Sequence, residues 1–515
     1  DLHAWTEVFV PGAGWLGLDP TSGLAAGEGH IPLAAASTPA LAAPLYGTAE
    51  GPADEVSFTM SVARLGHEPR PTAPYTEEVW ADLLAVGRRA DEVLVGQGLH
   101  LTMGGEPTFN AREDVDAPEW NGEALGPSKW RAGLELTHEL RERLAPGGVL
   151  LRRMGKHYPG ESMPRWALDA IGRSDGVALW RADPEATAAR AHAEPLARAI
   201  AEALGLSDGL QPAYEDPWHF LAQEAAAPFD DDPLGYALED GEERARLARV
   251  LGQGLRTPTA WVLPVVRDHD GRWRTQQWTF RRHHLFLLPG DSPAGLRLPL
   301  SSIGGVPFPV VPAEEPYLPR DPRSLEADDE GQQKLGVAAA TPRPTAVHTA
   351  LCVEYREADQ ALFVFLPPLA SQRDFVALVE VIDGARTRLG LPLILEGYPP
   401  PSGPLLRRIT VTPDPGVLEV NIPPTDNTDD YVALLETIYD AGLHAGLHTE
   451  KYLLDGRLAG SGGGHHLTLG GPTPLQSPFL LRPALLAGLI TFFQHHPSLS
   501  YMFTGLFVGP TSQAP

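Results

Sequence analysis

Cysteine is almost missing from this chain: 515 residues contain one, Cys352. That excludes internal disulfides and fits a reducing compartment; with no signal-peptide pattern visible, the expectation is a cytoplasmic protein. Basic residues are also scarce. Lys and Arg number 40 against 66 Asp and Glu, for a net charge of −26. A surface of that sign suits neither a nucleic-acid backbone nor an anionic membrane, so neither is expected as a partner; solubility accounts for the charge. No apolar run is long enough to span a bilayer as a helix. Glycine (53) and proline (52), by contrast, are abundant and imply many turns and long connections. The length predicts two to four domains rather than one core.

Periodicity gives an α+β chain without internal repeats. The first residues alternate as strands around the tight turn Pro11-Gly12-Ala13-Gly14, a hairpin, and Glu55 to Leu65 reads as another strand. His67 to Pro74 is a Pro-rich linker. Helices are expected over Tyr75–Gly98, Trp130–Leu144, Pro184–Leu204, Glu239–Leu251, Phe375–Leu389, Tyr431–Gly446 and Ala484–His496. Strands are expected over Leu99–Met103, Ala350–Glu354, Ala361–Phe365, Leu393–Glu396, Arg408–Thr412 and Val417–Ile422, meeting largely antiparallel. Trp261–Val266 and Trp273–Leu288 read as a hairpin, and residues 313–344 as a loose acidic, Pro-rich insertion. Both ends read as cut, so a segment of a longer protein is expected.

The chemistry concentrates in two stretches. One is Ser461-Gly462-Gly463-Gly464-His465-His466-Leu467-Thr468-Leu469-Gly470-Gly471. Glycines lack the Cβ that would keep a ligand from backbone N–H groups, and a histidine after them can touch a phosphate or a metal. The other is Asp414-Pro415-Gly416-Val417-Leu418-Glu419-Val420-Asn421-Ile422, where a lone acid sits in an apolar strand. Such an acid is costly unless it holds a cation or a proton. Together they read as a metal–nucleotide site. Leu418 and Val420 flank Glu419, so that acid alternatively faces solvent on a half-exposed sheet. Cys352, inside Ala350-Leu351-Cys352-Val353, reads as a small buried thiol.

Near the start, His3-Ala4-Trp5-Thr6-Glu7-Val8 followed by Gly14-Trp15-Leu16-Gly17-Leu18-Asp19-Pro20-Thr21 resembles the end of the transglutaminase-like core. In that family a cysteine attacks an amide, a histidine takes its proton and an aspartate orients the imidazole. The resemblance implies those last two roles for His3 and Asp19 over residues 1–66. The nucleophile would precede His3, so this half is expected to be inactive by itself.

From residue 85 to 515, after a linker and helix start at 67–84, the chain resembles the amidoligase family found fused behind bacterial transglutaminase-like domains. The blocks that carry the likeness are Leu101-Thr102-Met103-Gly104-Gly105-Glu106-Pro107-Thr108-Phe109, Gly155-Lys156-His157-Tyr158-Pro159-Gly160-Glu161, Pro289-Gly290-Asp291-Ser292-Pro293, Glu396-Gly397-Tyr398-Pro399-Pro400 and the two stretches above. The resemblance implies a glutamine-synthetase-type carboxylate–amine ligase fold, an antiparallel sheet with helices. It also implies ATP and Mg2+ or Mn2+ as cofactors, with peptide or small-molecule carboxylates and amines as substrates. Glu106, Glu419 and His466 match the metal ligands, and His466 a catalytic role. Gly462, Gly463, Gly464, Lys156 and Arg407 match nucleotide contacts. Val411 falls where such ligases carry a second acid, leaving Glu354 and Glu396 to compensate. The arginine clamp expected after the histidine loop would lie beyond Pro515. A peptidase whose carboxy-terminal region only binds substrate is the competing reading.

Overall fold

The computed structural model describes residues 5–10, 14–20, 24–26, 34–38, 40–41, 43, 46–48, 50–51, 75–114, 117–161, 163–219, 222, 250, 254–268, 270–280, 283–307, 345–452, 458–460 and 466–496. The expected first hairpin forms: Thr6–Val10 pairs antiparallel with Gly14–Asp19, which pairs in turn with Leu24–Ala25. Asp19, at the end of its strand, is buried. His3, the Glu55–Leu65 strand, the 313–344 insertion and all of the Glu239–Leu251 helix except Val250 lie outside the described residues.

One large sheet carries the rest. Its strands run in the order Leu285–Phe286, Gln211–Tyr214, Ala260–Pro264, Ala350–Arg356, Ala361–Leu366, Ile394–Gly397, Val149–Met154, Trp166–Arg173, Leu406–Asp414, Val417–Thr425, Thr102–Gly105 and Leu467–Gly470. Thr108–Ala111 branches from Val417–Thr425 and pairs onward with Leu447–His448. The sheet is largely antiparallel, as expected, but mixed: three of its strand pairings are parallel. Ala361–Leu366, Ile394–Gly397 and Val149–Met154 run parallel because the Gln372–Leu389 helix crosses over between the first two. Ser371 caps that helix by accepting from Asp374 N–H, and Gly390 ends it in the left-handed conformation.

Two other expectations change. The Trp273–Leu288 arm does not fold back as one hairpin: Trp273–Arg274 pairs with Val266–Arg267, and Leu285–Phe286 instead adds in parallel to Gln211–Tyr214. The Ala-rich helix begins at Ala193, not Pro184, after a single 3-10 turn at Arg190–His192. Helices Glu77–Gly96, Pro127–Leu144, Thr428–His444 and Pro483–His495 fall within a few residues of expectation.

The sheet is covered on opposite faces at its two ends, and strand alternation shows how. Ile409, Val411, Leu418 and Val420 point to the face where Leu136 and Leu140 of Pro127–Leu144 and Ile438 and Ala441 of Thr428–His444 close a core. Leu151, Val353, Val364 and Leu395 point the other way, into a core closed by Ala193–Leu204 and Gln372–Leu389. Beyond that second core, the second face is lined by polar side chains. Asp169, Thr410, Thr412, Asp414 and Glu419 are all buried there. Among the described residues no helix is long and apolar enough to cross a membrane.

Candidate functional site

The polar face is assembled from several neighbouring strands and the loop that carries Lys156. Register places Thr412 opposite Glu419, and Glu419 opposite Thr108, so all three side chains share that face. Leu418 and Val420 take the opposite, helix-covered face, as alternation requires. Glu419 does not look into open solvent: it is 3% exposed. Burial pushes its carboxyl pKa above the usual carboxylate range; the neighbouring charges of Asp414 and Glu106 push the same way, while Lys156 opposes them.

Glu106 reaches this place through its own strand. Thr102–Gly105 pairs with Leu467–Gly470, and the chain then turns at Glu106-Pro107. The Glu106 N–H donates to the His466 carbonyl at 2.9 Å. The side chains meet as well, with His466 Nδ1 3.0 Å from Glu106 Oε2. Gly105 permits this approach, since a Cβ there would strike the His466 carbonyl oxygen.

Lys156 arrives on the loop between Val149–Met154 and Trp166–Arg173. Backbone bonds from Gly155 N–H to the Arg165 carbonyl (2.6 Å) and from Arg165 N–H to the Lys156 carbonyl (2.9 Å) clamp the base of that loop. The Lys156 ammonium stands 3.4 Å from Glu419 Oε2. Burial works against its charge, but Glu419, Tyr158 and Glu106 outweigh it and hold its pKa above that of a free lysine. Arg165 pins the loop to the Asp414 turn: its guanidinium pairs with Asp414 and with Glu161 (2.6 Å) and lies over the Tyr158 ring. Behind that turn the buried Lys129 donates to the carbonyls of Glu123 (2.9 Å), Ala124 (3.2 Å) and Asp414 (2.8 Å).

The structure thus brings together Glu106, His466, Glu419 and Lys156 from across more than three hundred residues. It does not bring Arg407 to them. That residue faces Gly172 at the far end of its strand, on the other side of the sheet, five positions from Thr412 or about 16 Å away. Glu354 and Glu396 do not compensate for the missing acid either. They share the Arg356 guanidinium on the face opposite Glu419, turned away from the helices that cover their neighbours Val353 and Leu395, with Arg356 2.5 Å from Glu396. Gly462, Gly463, Gly464 and His465 lie outside the described residues. Cys352 is buried in its strand, and burial pushes its thiol pKa well up.

Sequence reasoning missed Arg165, Thr108, Asn110 and His448. Asn110 faces His448 across the Thr108–Ala111 and Leu447–His448 pair, and Asn110 shares its face with Thr108 and hence with Glu419. The signal was present in Thr108-Phe109-Asn110-Ala111, where polar residues alternate with apolar ones although every position is buried. Polar residues at alternate positions of a fully buried strand mark an interior polar face.

Two carboxylates and an imidazole are donors that a hard or borderline divalent cation accepts. Yet among the described residues no three His, Cys, Asp or Glu side chains form a group ready to hold one. The donor chemistry fits, and the cation nearest Glu419 is the Lys156 ammonium. A family model described as "putative amidoligase enzyme" matches residues 51–515. No curated protein and no solved structure matches the chain.

Proposed function

The chain belongs to this amidoligase family, and from that premise we propose that it is an ATP-dependent carboxylate–amine ligase. In the first step a substrate carboxylate oxygen attacks the γ-phosphorus of ATP, the bond to the bridging oxygen breaks, and an acyl phosphate and ADP form. In the second, an amine nitrogen attacks the acyl carbon, phosphate leaves, and the nitrogen loses a proton to give an amide. A bound Mg2+ or Mn2+ would neutralise charge on the transferring group.

The chain's own residues supply the rest. Glu106 and Glu419 are the carboxylates that would hold the cation, with His466 beside Glu106 at 3.0 Å orienting that carboxylate or adding an imidazole donor. Lys156 is the cation free to meet a phosphate. Gly462, Gly463 and Gly464, which lead into His465-His466, are read as the backbone that approaches the nucleotide. The peptide or small-molecule carboxylate and amine are read as its substrates. The amino-terminal hairpin, with buried Asp19, is read as the end of a transglutaminase-like domain in which His3 and Asp19 had base and orienting roles. That pairing of an amide-forming with an amide-cleaving domain supports a part in peptide modification.

The single observation that supports this most is the meeting of Glu106 and His466, which a family-based reading of the sequence had assigned to one centre. Incubation of the chain with ATP, Mg2+, a panel of amino acids and acidic peptides, and hydroxylamine as the amine is expected to give a hydroxamate and inorganic phosphate. Glu106→Gln should lower that rate about a hundredfold or more, the scale of losing one charge-stabilising group. Absence of ATP turnover with every carboxylate would overturn the proposal.

A further inference from the structure

Three cations stand on the polar face: Arg153 pairs with Asp169 at 2.7 Å, and Lys156 and Arg165 are held differently from each other. Arg165 is locked: its guanidinium is nearly buried, pairs with both Asp414 and Glu161, and stacks over Tyr158. Lys156 is about half exposed and keeps only a long contact with Glu419 Oε2, 3.4 Å, where a tight ammonium–carboxylate bond is about 2.7–2.9 Å. Its charge is nonetheless felt by both Glu419 and Glu106. Lys156 therefore stands beside Glu419, where a divalent cation held by that carboxylate would sit, on a stem long enough to leave it. The absence of a ready three-donor group among the described residues agrees with a centre whose counter-ion is this ammonium.

We propose that Lys156 is a displaceable counter-ion that keeps free divalent cations out of the Glu106–Glu419 centre and yields to them only when an anionic, phosphate-bearing co-ligand draws its ammonium away. This rests on the divalent-cation reading above and adds the order of events: cation and polyphosphate enter as one complex. The physical reason is direct. A divalent ion beside an ammonium in a partly buried site suffers like-charge repulsion of the same order as its attraction to one carboxylate. Once the ammonium pairs with phosphate, that repulsion becomes part of the binding of the anion, so the two ligands strengthen one another reciprocally. Arg165, tied to Asp414 and Glu161, stays behind and keeps the loop in place while Lys156 swings.

The test is a titration of the full chain with Mn2+ alone, followed by calorimetry and by the electron paramagnetic resonance signal of the free ion, then repeated with a non-hydrolysable ATP analogue. Lys156→Met is expected to bind Mn2+ alone about tenfold more tightly than the unmodified chain, or better, because one opposing charge is removed. Lys156→Arg is expected to behave as the unmodified chain. The analogue should strengthen Mn2+ binding strongly in the unmodified chain and far less in Lys156→Met. Circular dichroism checks that each variant is folded, which the half-exposed position of Lys156 favours. Equal Mn2+ affinities for the unmodified chain and a folded Lys156→Met overturn the counter-ion role and leave the cation reading standing. Failure of every form to bind Mn2+, with or without the analogue, overturns the cation reading itself and the counter-ion role with it.

Discussion

Single residues carry most of the chemistry, and their environments separate acids that the sequence writes alike. Glu419 lies against Lys156 on the polar face, while Glu396 is buried on the opposite face of the sheet beside Glu354 and Arg356. Burial lifts the Glu396 carboxyl to about 7, against the pull of Arg356 and with the push of Glu354. Because this folded value stands above the ordinary 4.5, the unfolded chain gives up the proton first. The stability that the protonated group contributes is full below about pH 4.5 and is lost as pH rises through about 7. Denaturant titrations at pH 5 and pH 8 are therefore expected to show that Glu396→Gln flattens this decline by about 1–3 kcal/mol. An unchanged pH profile would show that Arg356 holds Glu396 ionised in the folded state. From sequence alone Glu396 and Glu354 looked like spare metal ligands, since both stand beside apolar runs. Only the register, which turns them toward Arg356, removes them from the site.

At the scale of elements, the centre depends on strands lying close enough for side chains from distant segments to touch. The Thr102–Gly105 and Leu467–Gly470 pair is one such place, because Gly105 lets the His466 carbonyl approach the backbone. Gly105→Ala puts a methyl group against that oxygen and should cost about 1–3 kcal/mol of stability, the usual range for overpacking. It should also lower hydroxamate formation beyond what thermal melting alone explains, because the Glu106–His466 contact moves with the strand. Retained activity in a folded Gly105→Ala chain would mean that this contact does not matter. The Gly155–Arg165 loop illustrates the limit of reading elements from sequence. Its Gly-Lys start was legible as a phosphate-binding candidate, but the arginine that anchors it, Arg165, lies past a proline in a stretch without periodicity. Its partner Asp414 is 249 residues away.

For the whole molecule, the organisation predicts that the hairpin region and the sheet are separable. The family match begins at residue 51, and the large sheet draws its strands from residues 102 to 470. Removal of residues 1–50 is therefore expected to leave the melting temperature of the remainder within about 3 °C, about the shift that 1 kcal/mol makes in a unit of 150–250 residues. Collapse of the fold in that truncation would show instead that the first residues belong to the same core. The sequence by itself determined the α+β class, most of the helices and the central strands. These follow from local properties: hydrophobic period, and glycine and proline punctuation. The tertiary structure alone decided that the sheet is mixed, that Arg407, Glu354 and Glu396 stand away from Glu419, and that Lys156 and Arg165 share the polar face with unequal freedom. Those outcomes depend on strand order and on a register in which one position's slip moves a side chain to the other face, and neither quantity is written in any local stretch of the chain.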